Sequence, residues 1–583
     1  MQEAISYGLY LKSDYQEIEK SFYKSYTGND APQIFVKNLI SQFNRMTYKV
    51  NEIMKENKKV KLTKEQKRDF DYAKVCYMCE KVFTEDNKKV CEHNHFNGKY
   101  RGAACHSCNI KEGKNIRKIP IFFHNGSNYD FHFLIKELIK YEGNGKKVNV
   151  LAKTGEEYIS ITYESYGYKL VFLDSYRFLS NSLAKIIEGI PKEELKITKE
   201  HFKDEKQFEL ISQKGVYPYE YIDSIEKLKD STLPEYEHFY SRLQNSNVTK
   251  EEYERSKKVW KEFNCNTFQD YHDLYLKADV LLLADAFEKF REFNLKYHQI
   301  DPCYTFSAPG LTWQAGLKYT KVKLELLTDY NMYLMFEAGI RGGYSGVLGD
   351  RYVKANNKYI PNYDPIEKQL YLLYLDCNNL YGDSMSQKLP IGDFKEETDE
   401  NYYKNIPDGR GCIIECDLEY PDAAKLKTFK FPLAPEKKSI TEDQLSSIQK
   451  KYMDIEERNL GKIPKLILDL HNKEKYIVHH KILKYYISLG LRVTKVYKTI
   501  SFKEEAWLKP YIDFNTNQRK LAKTEFEKDF WKLMNNAFYG KTMENVRDRN
   551  LPPSFSSDEK ELKNYSRNQI LKVSQASMNM EWY

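Results

Sequence analysis

The chain has 583 residues, of which 41% are hydrophobic and 30% charged, and 92 basic against 84 acidic side chains give a formal charge of +8. This composition predicts a globular protein with several cores, and no apolar run approaches the about 20 residues that a membrane span needs. The opening MQEAISYGLY has no basic stretch followed by an apolar one, so we expect an intracellular protein that is not secreted, of unknown compartment. The mild positive charge and the 48 Tyr side chains permit nucleic-acid binding, although tyrosines also build ordinary cores.

The first distinct unit lies at about 70–118 and contains two C-x2-C pairs. Cys76 and Cys79 form the first pair, Cys105 and Cys108 the second, and 25 residues separate the pairs. Each C-x2-C turn brings two sulfurs to one side of a metal ion, which matches tetrahedral zinc. The spacing predicts a structural zinc site, and the alternative is a set of unpaired buried thiols.

Between the two pairs stands the stretch 92-EHNHFNGKYRG-102, and Asn109 directly follows the last cysteine. The whole string resembles the His-Me finger nucleases of the recombination endonuclease VII type. The resemblance implies that His93 activates water, while Glu92 and Asn109 hold a magnesium ion. Glu92 stands where that family has Asp and is one methylene longer, so an active nuclease and a zinc-stapled DNA-binding or structural insertion both remain open.

The next 180 residues or so read as alternating strands and helices. Apolar periodicity predicts a strand, turn and helix over 119–141, a sheet meander over 147–178, charged surface elements over 191–262 and a helix over 269–297. The turn 125-NGSNYD-130 places Asp130 at the start of a helix. Tyr275 and Asp279 are four residues apart and therefore share one helical face. A hydroxyl beside a carboxylate can orient a metal-bound water for attack on a phosphodiester.

The turn that ends at Asp130 and the later helix face with Tyr275 and Asp279 resemble, in this order, the second and third exonuclease motifs of family B DNA polymerases. The resemblance implies an RNase H-like 3′–5′ exonuclease domain over 119–300, with Asp130 and Asp279 as magnesium ligands. It implies that Tyr275 orients the water and that Asn125 contacts the single-stranded primer end. The first motif of the set, D-x-E on a strand, is missing from 1–69, the expected N-terminal part of this domain, since 13-SDYQE-17 has neither the spacing nor the strand.

The stretch 371-YLLYLDCNNLYG-382 predicts a buried strand that ends at Asp376, followed by a tight turn. Alone it fits a Tyr-rich strand with a capping Asp, but it also resembles motif A, D-x2-S-L-Y-P, of the same polymerases. The resemblance implies that Asp376 binds two magnesium ions and that the backbone carbonyl of Cys377 is a neighbouring ligand. Tyr381 would exclude a 2′-hydroxyl by contact with the sugar.

A long helix is predicted over 519–541, and Lys532, Asn536 and Tyr539 line one of its faces at spacings of four and three. They resemble motif B, K-x3-N-S-x-Y-G. The resemblance implies that Lys532 and Asn536 contact the triphosphate, that Tyr539 contacts the nascent base pair, and that Gly540 and Lys541 contact DNA. Arg519 and Lys523, placed upstream on the same predicted helix, either add phosphate contacts or form a solvated basic face.

The glycine-rich stretch 340-IRGG-343 resembles the Y-x-G-G loop of protein-primed family B polymerases. The resemblance implies that Arg341, Gly342 and Gly343 contact the template, because glycines let a backbone approach phosphate closely. The long interval between motifs A and B leaves room, at about 395–510, for the insertion that contacts the terminal protein in that subfamily.

Motif C, a hairpin with D-T-D, has no counterpart between Lys541 and Tyr583, where the nearest string is 547-RDR-549. We therefore expect 301–583 to form part of a palm and fingers without motif C and thumb. The chain is expected to be truncated at both ends and to add no nucleotides on its own, because two-metal catalysis needs a second palm carboxylate.

The predicted fold class is mixed α/β: an RNase H-like exonuclease domain with a zinc-binding insertion, followed by a partial palm and fingers. The implied function is DNA-directed, protein-primed DNA synthesis from dNTPs with Mg²⁺ or Mn²⁺, on template-primer DNA and with a terminal protein as partner. No membrane partner is expected. Two alternatives remain: a zinc-stapled His-Me endonuclease, and a catalytically dead DNA-binding remnant.

Overall fold

The computed structural model of the chain describes residues 3–545 except 56–59, 116–117, 155, 347, 349–351, 456–459 and 462. The chain divides into two compact units, one of Met1–Ala315 with the segment from Asn515 onward, the other of Gly316–Phe514. The predicted region 301–583 thus contributes to both units. Both units mix helices and strands, which confirms the predicted α/β class. The stretch that holds 547-RDR-549 lies outside the described residues.

The secondary structure is as follows. The strands are β1 Ser6–Leu11, β2 Phe22–Thr27, β3 Lys89–His93, β4 Tyr100–Cys105, β5 Lys118–Phe123, β6 Lys146–Ala152, β7 Tyr158–Ser165, β8 Tyr168–Asp174, β9 Leu389–Glu397, β10 Arg410–Glu419, β11 Glu436–Lys438, β12 Lys465–Ile467, β13 Lys473–His479 and β14 Arg492–Glu505. The helices are α1 Ala31–Lys55, α2 Lys64–Tyr72, α3 His106–Asn115, α4 Asp130–Ile139, α5 Leu183–Glu188, α6 Lys196–His201, α7 Glu205–Ile211, α8 Lys250–Glu262, α9 Phe268–His298, α10 Ala308–Thr320, α11 Tyr330–Ala338, α12 Leu380–Met385, α13 Asp422–Thr428, α14 Ser447–Ile455, α15 His480–Ser488, α16 Lys509–Leu521 and α17 Glu525–Thr542. Within the described residues, no helix combines the length and the apolar character that crossing a bilayer requires.

The largest sheet of the first unit has the strand order β5-β8-β7-β6, in which β5 and β8 are parallel and the other neighbours antiparallel. This confirms the predicted strand near residue 119 and the meander that follows. The β8 sequence YKLVFLD is buried at all positions but one, which is expected where both faces of a sheet are covered. Phe172 of β8 packs in one core with Phe131 of α4 and Phe43 of α1.

The helix predicted over 269–297 is confirmed as α9. It begins after Thr267, whose side chain accepts a hydrogen bond from Asp270 N in a capping box. Its buried residues recur along the whole length, from Phe268 to His298, so both ends of the helix are fixed by packing.

The prediction of a single helix over 519–541 is wrong at its start. The structure has α16, which ends at Leu521, and a separate helix α17, which begins at Glu525. Thr524 caps α17 by accepting a hydrogen bond from Glu527 N, and a capped N-terminus of this kind starts a new helix. Arg519 therefore belongs to α16 and Lys523 to the break, not to one helix with Lys532.

The second unit is built on an antiparallel sheet with the strand order β13-β10-β14-β9. The central strand β10 directs Cys412, Ile414 and Leu418 into one core. The prediction of a buried strand that ends at Asp376 is wrong. Residues 371–377 have no regular structure, and their apolar side chains are exposed, Tyr374 by 95%. A strand needs a neighbour for its main-chain groups, and in the described part of the chain the nearest pairing is one bridge between Leu370 and Asn356.

Candidate functional site

The four cysteines of the predicted zinc site converge in the structure. Their sulfurs all lie within 4.8 Å of one another. The β3–β4 hairpin brings in Cys105, and the first turn of α3 brings in Cys108, while Cys76 and Cys79 stand on the turn before β3. Four thiols at mutual distances of this size fit the donor set of a tetrahedral zinc ion.

The predicted nuclease residues lie beside this cluster, on β3 and α3. Glu92 is only 1% exposed, and its carboxylate accepts hydrogen bonds from Arg101, with Nε at 2.7 Å, and from the Tyr77 hydroxyl at 2.9 Å. Arg101 also reaches the second carboxylate oxygen. Both oxygens of Glu92 are thus engaged, and a magnesium ion at Glu92 would have to displace Arg101.

His93 is placed differently from Glu92. Its Nδ1 lies 3.2 Å from the carbonyl oxygen of Cys91, while its Nε2 is buried and has no hydrogen-bond partner among the described residues. The ring of His95, which the sequence analysis did not single out, lies 4.8 Å from that of His93. Burial and the neighbouring His93 lower the pKa of His95. Asn109 is half-buried on α3.

The turn that carries the second exonuclease-like motif is held by a residue that sequence reasoning missed. Asp174, at the end of β8, accepts hydrogen bonds from Asn125 N at 2.8 Å and Ser127 N at 3.0 Å. Asn125 has a left-handed backbone with φ 67°, a conformation that Asn tolerates. Asp174 thereby fixes the turn that presents Asp130 as the first residue of α4.

The residues that resemble the third exonuclease motif contact a lysine that sequence reasoning also missed. Tyr275 and Asp279 share one face of α9, as predicted, and the ammonium group of Lys214 donates hydrogen bonds to both side chains. The Tyr275 hydroxyl also lies 2.6 Å from that of Tyr219. The other carboxylate oxygen of Asp279 is buried without a hydrogen-bond partner in the described residues. Lys214 stands in the charged segment that the sequence analysis assigned to the surface.

Asp130, Asp279, Lys214 and Asn125 line one cavity of about 1470 Å³ in the first unit. Burial raises the pKa of Asp130 to about 6, and nearby Asp174 adds to the effect. Burial also raises the pKa of Asp279, against the opposing influence of Lys214. Two buried carboxylates that resist ionisation would be stabilised in their charged form by a divalent cation, so they fit the predicted magnesium ligands.

The predicted motif B residues lie on α17. Lys532 and Asn536 are exposed and Tyr539 is half-buried, whereas the opposite side of the helix is buried. That buried side consists of Phe526, Phe530, Trp531, Met534, Asn535 and Phe538. The shared face is confirmed. Gly540 is exposed, Lys541 pairs with Glu544, and Arg519 is exposed in the last turn of α16.

The predicted motif A residues belong to the exposed segment of the second unit. Asp376 and Cys377 are exposed without regular structure, and Tyr381 is 52% exposed in the short helix α12. In the described residues, no neighbouring strand fixes the Asp376 backbone.

The glycine-rich stretch follows α11 without regular structure. The Arg341 guanidinium donates to the carbonyl oxygen of Ile477 at 2.6 Å and lies 4.0 Å from the centre of the Tyr476 ring, so it is tied to β13. Gly342 and Gly343 are exposed, and a Cβ on either would meet no atom of the described residues within 4 Å. Packing against the described part of the chain therefore does not require glycine at these positions.

Comparisons with known proteins give two family matches. Residues 192–582 match the family model described as DNA polymerase type B, organellar and viral. Residues 44–141 match the model described as recombination endonuclease VII, a range wider than the predicted unit. No curated protein sequence matches the chain.

Among solved structures, the chain is similar to phi29 DNA polymerase. The complex with primer-template DNA is 15% identical with a TM-score of 0.38, over 76% of this chain and 63% of that one. The orthorhombic crystal form is 14% identical with a TM-score of 0.39, over 80% and 67%. The chain thus spans about two-thirds of the length of these relatives.

Proposed function

Since the chain belongs to the organellar and viral type B DNA polymerases, we propose that it takes part in template-directed DNA synthesis from dNTPs. The observation that carries the proposal is the exposed face of α17. There a cation, an amide and an aromatic ring stand in line at Lys532, Asn536 and Tyr539, inside the matched range.

The α17 face suits an incoming nucleotide. Lys532 would bind triphosphate oxygens, Asn536 would hydrogen-bond beside them, and Tyr539 would pack against the nascent base pair. Asp376 and the carbonyl of Cys377 would hold magnesium, which when bound activates a primer 3′-hydroxyl and neutralises the triphosphate. Tyr381 would contact the sugar.

The other predicted sites take supporting roles. The open space at Gly342 and Gly343 would admit template phosphates, and Arg519, Gly540 and Lys541 would contact DNA. The residues at about 395–510 would bind a terminal protein. The four cysteines would hold zinc as a structural staple.

The carboxylate cavity of the first unit would serve 3′–5′ exonuclease cleavage. Asp130 and Asp279 would hold magnesium, and Asn125 would contact the primer end. Tyr275 would orient the attacking water, and the hydrogen bond from Lys214 would in turn orient the Tyr275 hydroxyl.

A second candidate function is endonuclease cleavage at His93. Two observations favour it: the buried Nε2 without a partner in the described residues, and the match to the endonuclease VII family. His93→Ala should abolish magnesium-dependent nicking of branched DNA. Absence of nicking by the parent protein would instead leave this unit as a zinc-stapled DNA-binding element.

Nucleotide binding tests the main proposal. Fluorescent dATP is titrated into the chain with a dT-template primer duplex and Mg²⁺. Lys532→Ala should weaken binding at least about tenfold, because a charge-assisted contact to phosphate is lost. The matched control is Lys528→Ala, one turn earlier on α17, where the lysine pairs with Glu525. Equal affinities of the two variants, or no binding by the parent, would contradict the proposal.

A further inference from the structure

The β3–β4 hairpin contains a bulge at Arg101. Glu92 of β3 lies opposite Gly102 of β4, and the next pair along the hairpin is His93 with Tyr100. The strand β4 therefore has one residue more than β3 at this point, and that residue is Arg101. Without the bulge, Arg101 would face away from Glu92, because neighbouring residues of a strand point to opposite faces. The bulge redirects the Arg101 side chain and brings its guanidinium to the carboxylate of Glu92.

A second contact to Glu92 comes from Tyr77, in the first C-x2-C turn. The Tyr77 amide donates to the carbonyl oxygen of Ala103 at 3.0 Å, which ties this turn to β4. Gly102 leaves room for the Tyr77 ring, since a Cβ on Gly102 would lie 2.6 Å from a ring atom. The Tyr77 hydroxyl then donates to the same carboxylate oxygen as Arg101 Nε. The bulge, the glycine and the turn together hold the Glu92 carboxylate against Arg101.

The two members of this ion pair differ in their access to solvent. The Glu92 side chain is 1% exposed, whereas that of Arg101 is 34% exposed. A solute can therefore reach the guanidinium without first reaching the carboxylate. A guanidinium binds phosphate with the same two-pronged geometry with which it binds carboxylate. The phosphodiester of a nucleic acid is therefore a ligand that can compete with Glu92 for Arg101.

We propose that Arg101 is a latch on the nuclease-like centre: it keeps divalent cations away from Glu92 until a DNA phosphate binds its guanidinium. The latch regulates the second candidate function, endonuclease cleavage at His93, and rests on it. In the resting protein Arg101 already neutralises Glu92, and breaking a buried ion pair leaves an uncompensated charge. Once phosphate holds Arg101, the Glu92 carboxylate needs a new positive partner, which Mg²⁺ would supply.

The latch makes DNA binding and metal binding depend on each other. Each ligand alone must break the pair of Arg101 and Glu92, whereas the second ligand to bind finds the pair already broken. A divalent cation therefore tightens DNA binding, and DNA tightens cation binding by the same factor. We expect this factor to be about tenfold, within the range usual for coupled sites.

The first test counts the Mn²⁺ ions bound by the full chain without DNA, from the EPR signal of the free ion. Arg101→Gln should bind one ion more than the parent, because the Glu92 carboxylate loses its guanidinium partner. The double variant Arg101→Gln/Glu92→Gln should bind the same number as the parent, which would assign the additional ion to Glu92. The matched control, Arg68→Gln at an exposed position of α2, should also equal the parent.

The second test measures DNA affinity by fluorescence anisotropy, with and without Mn²⁺ at constant ionic strength. The His93→Ala background keeps a branched DNA duplex intact during the titration. In this background Mn²⁺ should tighten DNA binding about tenfold. Adding Glu92→Gln or Arg101→Gln should reduce this effect to less than about twofold, because the exchange of partners needs both side chains.

The outcomes separate the latch from the nuclease. Equal Mn²⁺ numbers for Arg101→Gln and the parent would overturn the latch, and so would an additional ion that persists in the double variant. If Arg101→Gln does not fold, the DNA titrations with and without Glu92→Gln decide, and equal tightening by Mn²⁺ in both would overturn the proposal. A protein that gains the ion in Arg101→Gln but nicks no DNA would support the latch and contradict cleavage at His93.

Discussion

The carboxylates of the two units stand in opposite environments. Asp130 and Asp279 are built into the first unit, at the start of one helix and on the face of another, with burial that raises the pKa of each. Asp376 of the second unit follows a run of apolar residues whose side chains are exposed. The first unit therefore fixes its carboxylates by its own packing, whereas the described second unit does not fix Asp376.

A sequence motif and the packing that holds it in place are therefore separate requirements. Motif residues on α9 and α17 lie where their helices pack, so their spacing becomes a shared face. The apolar run before Asp376 has the composition of a buried strand, but burial depends on partners that the run itself does not encode. Substitutions at packed sites should therefore cost more stability than substitutions in the exposed segment.

Loss of Cys105, a proposed zinc ligand, should have the largest effect. Structural zinc contributes about 10 kcal/mol or more to the folding of small zinc units. Cys105→Ser should therefore abolish zinc binding and expose residues 70–118 to protease. Zinc content by chelator absorbance and limited proteolysis measure this, with Cys91→Ser as the control outside the cluster. An unchanged proteolysis pattern would show that the unit folds without the four-thiol site.

Removing Lys214 should destabilise the first unit by about 2 kcal/mol, because Asp279 and Tyr275 lose their shared donor in a mostly buried site. Denaturant unfolding of Lys214→Met measures the loss. Lys229→Met, at an exposed position, should change stability by less than about 0.5 kcal/mol. The double variant Lys214→Met/Asp279→Asn should recover part of the loss, and a purely additive result would argue against a direct interaction.

The raised pKa of Asp130 predicts that the stability of the folded state depends on pH. With a folded-state pKa of about 6 against an ordinary value of 3.8 for an Asp side chain, the folded state holds a proton that the unfolded chain releases between about pH 4 and 6. Stability should therefore fall as pH rises through this window. Asp130→Asn should be more stable than the parent by about 3 kcal/mol at pH 7.5, and the difference should vanish at about pH 3. Parallel stability curves for the two proteins would show that Asp130 has an ordinary pKa.

Substitutions in the exposed segment should have the smallest effect. Tyr374→Ser should change the free energy of unfolding by less than about 0.5 kcal/mol, because the side chain has almost no packing to lose. Phe172→Ala in the core of the first unit should cost about 3–5 kcal/mol by comparison. A loss above about 1 kcal/mol for Tyr374→Ser would mean that the segment is buried in solution.

The sequence predicted the elements whose signals are local. Three such signals each extend over about 30 residues: the cysteine spacing, the β6–β8 alternation and the α9 periodicity. The structure confirms the arrangement that each one predicts. The break before α17 could also have been predicted, because 524-TEFE-527 is a helix-start signal and lies inside the predicted helix.

The contacts that sequence reasoning missed are long-range. Lys214 reaches Tyr275 and Asp279 from 61 and 65 residues away, and its charged surroundings gave no sign of burial. Asp174 reaches Asn125 across 49 residues, because β5 and β8 are neighbours in the sheet. Such pairings follow from topology, which a single sequence does not specify.

Template-directed nucleotide selection can be measured without turnover. The affinity of the chain for a primer-template with a dideoxy 3′ end is determined with each of the four dNTPs and Mg²⁺. The complementary dNTP should tighten DNA binding several-fold more than the others, and Lys532→Ala should remove the difference. Equal affinity with all four dNTPs would contradict the proposed function.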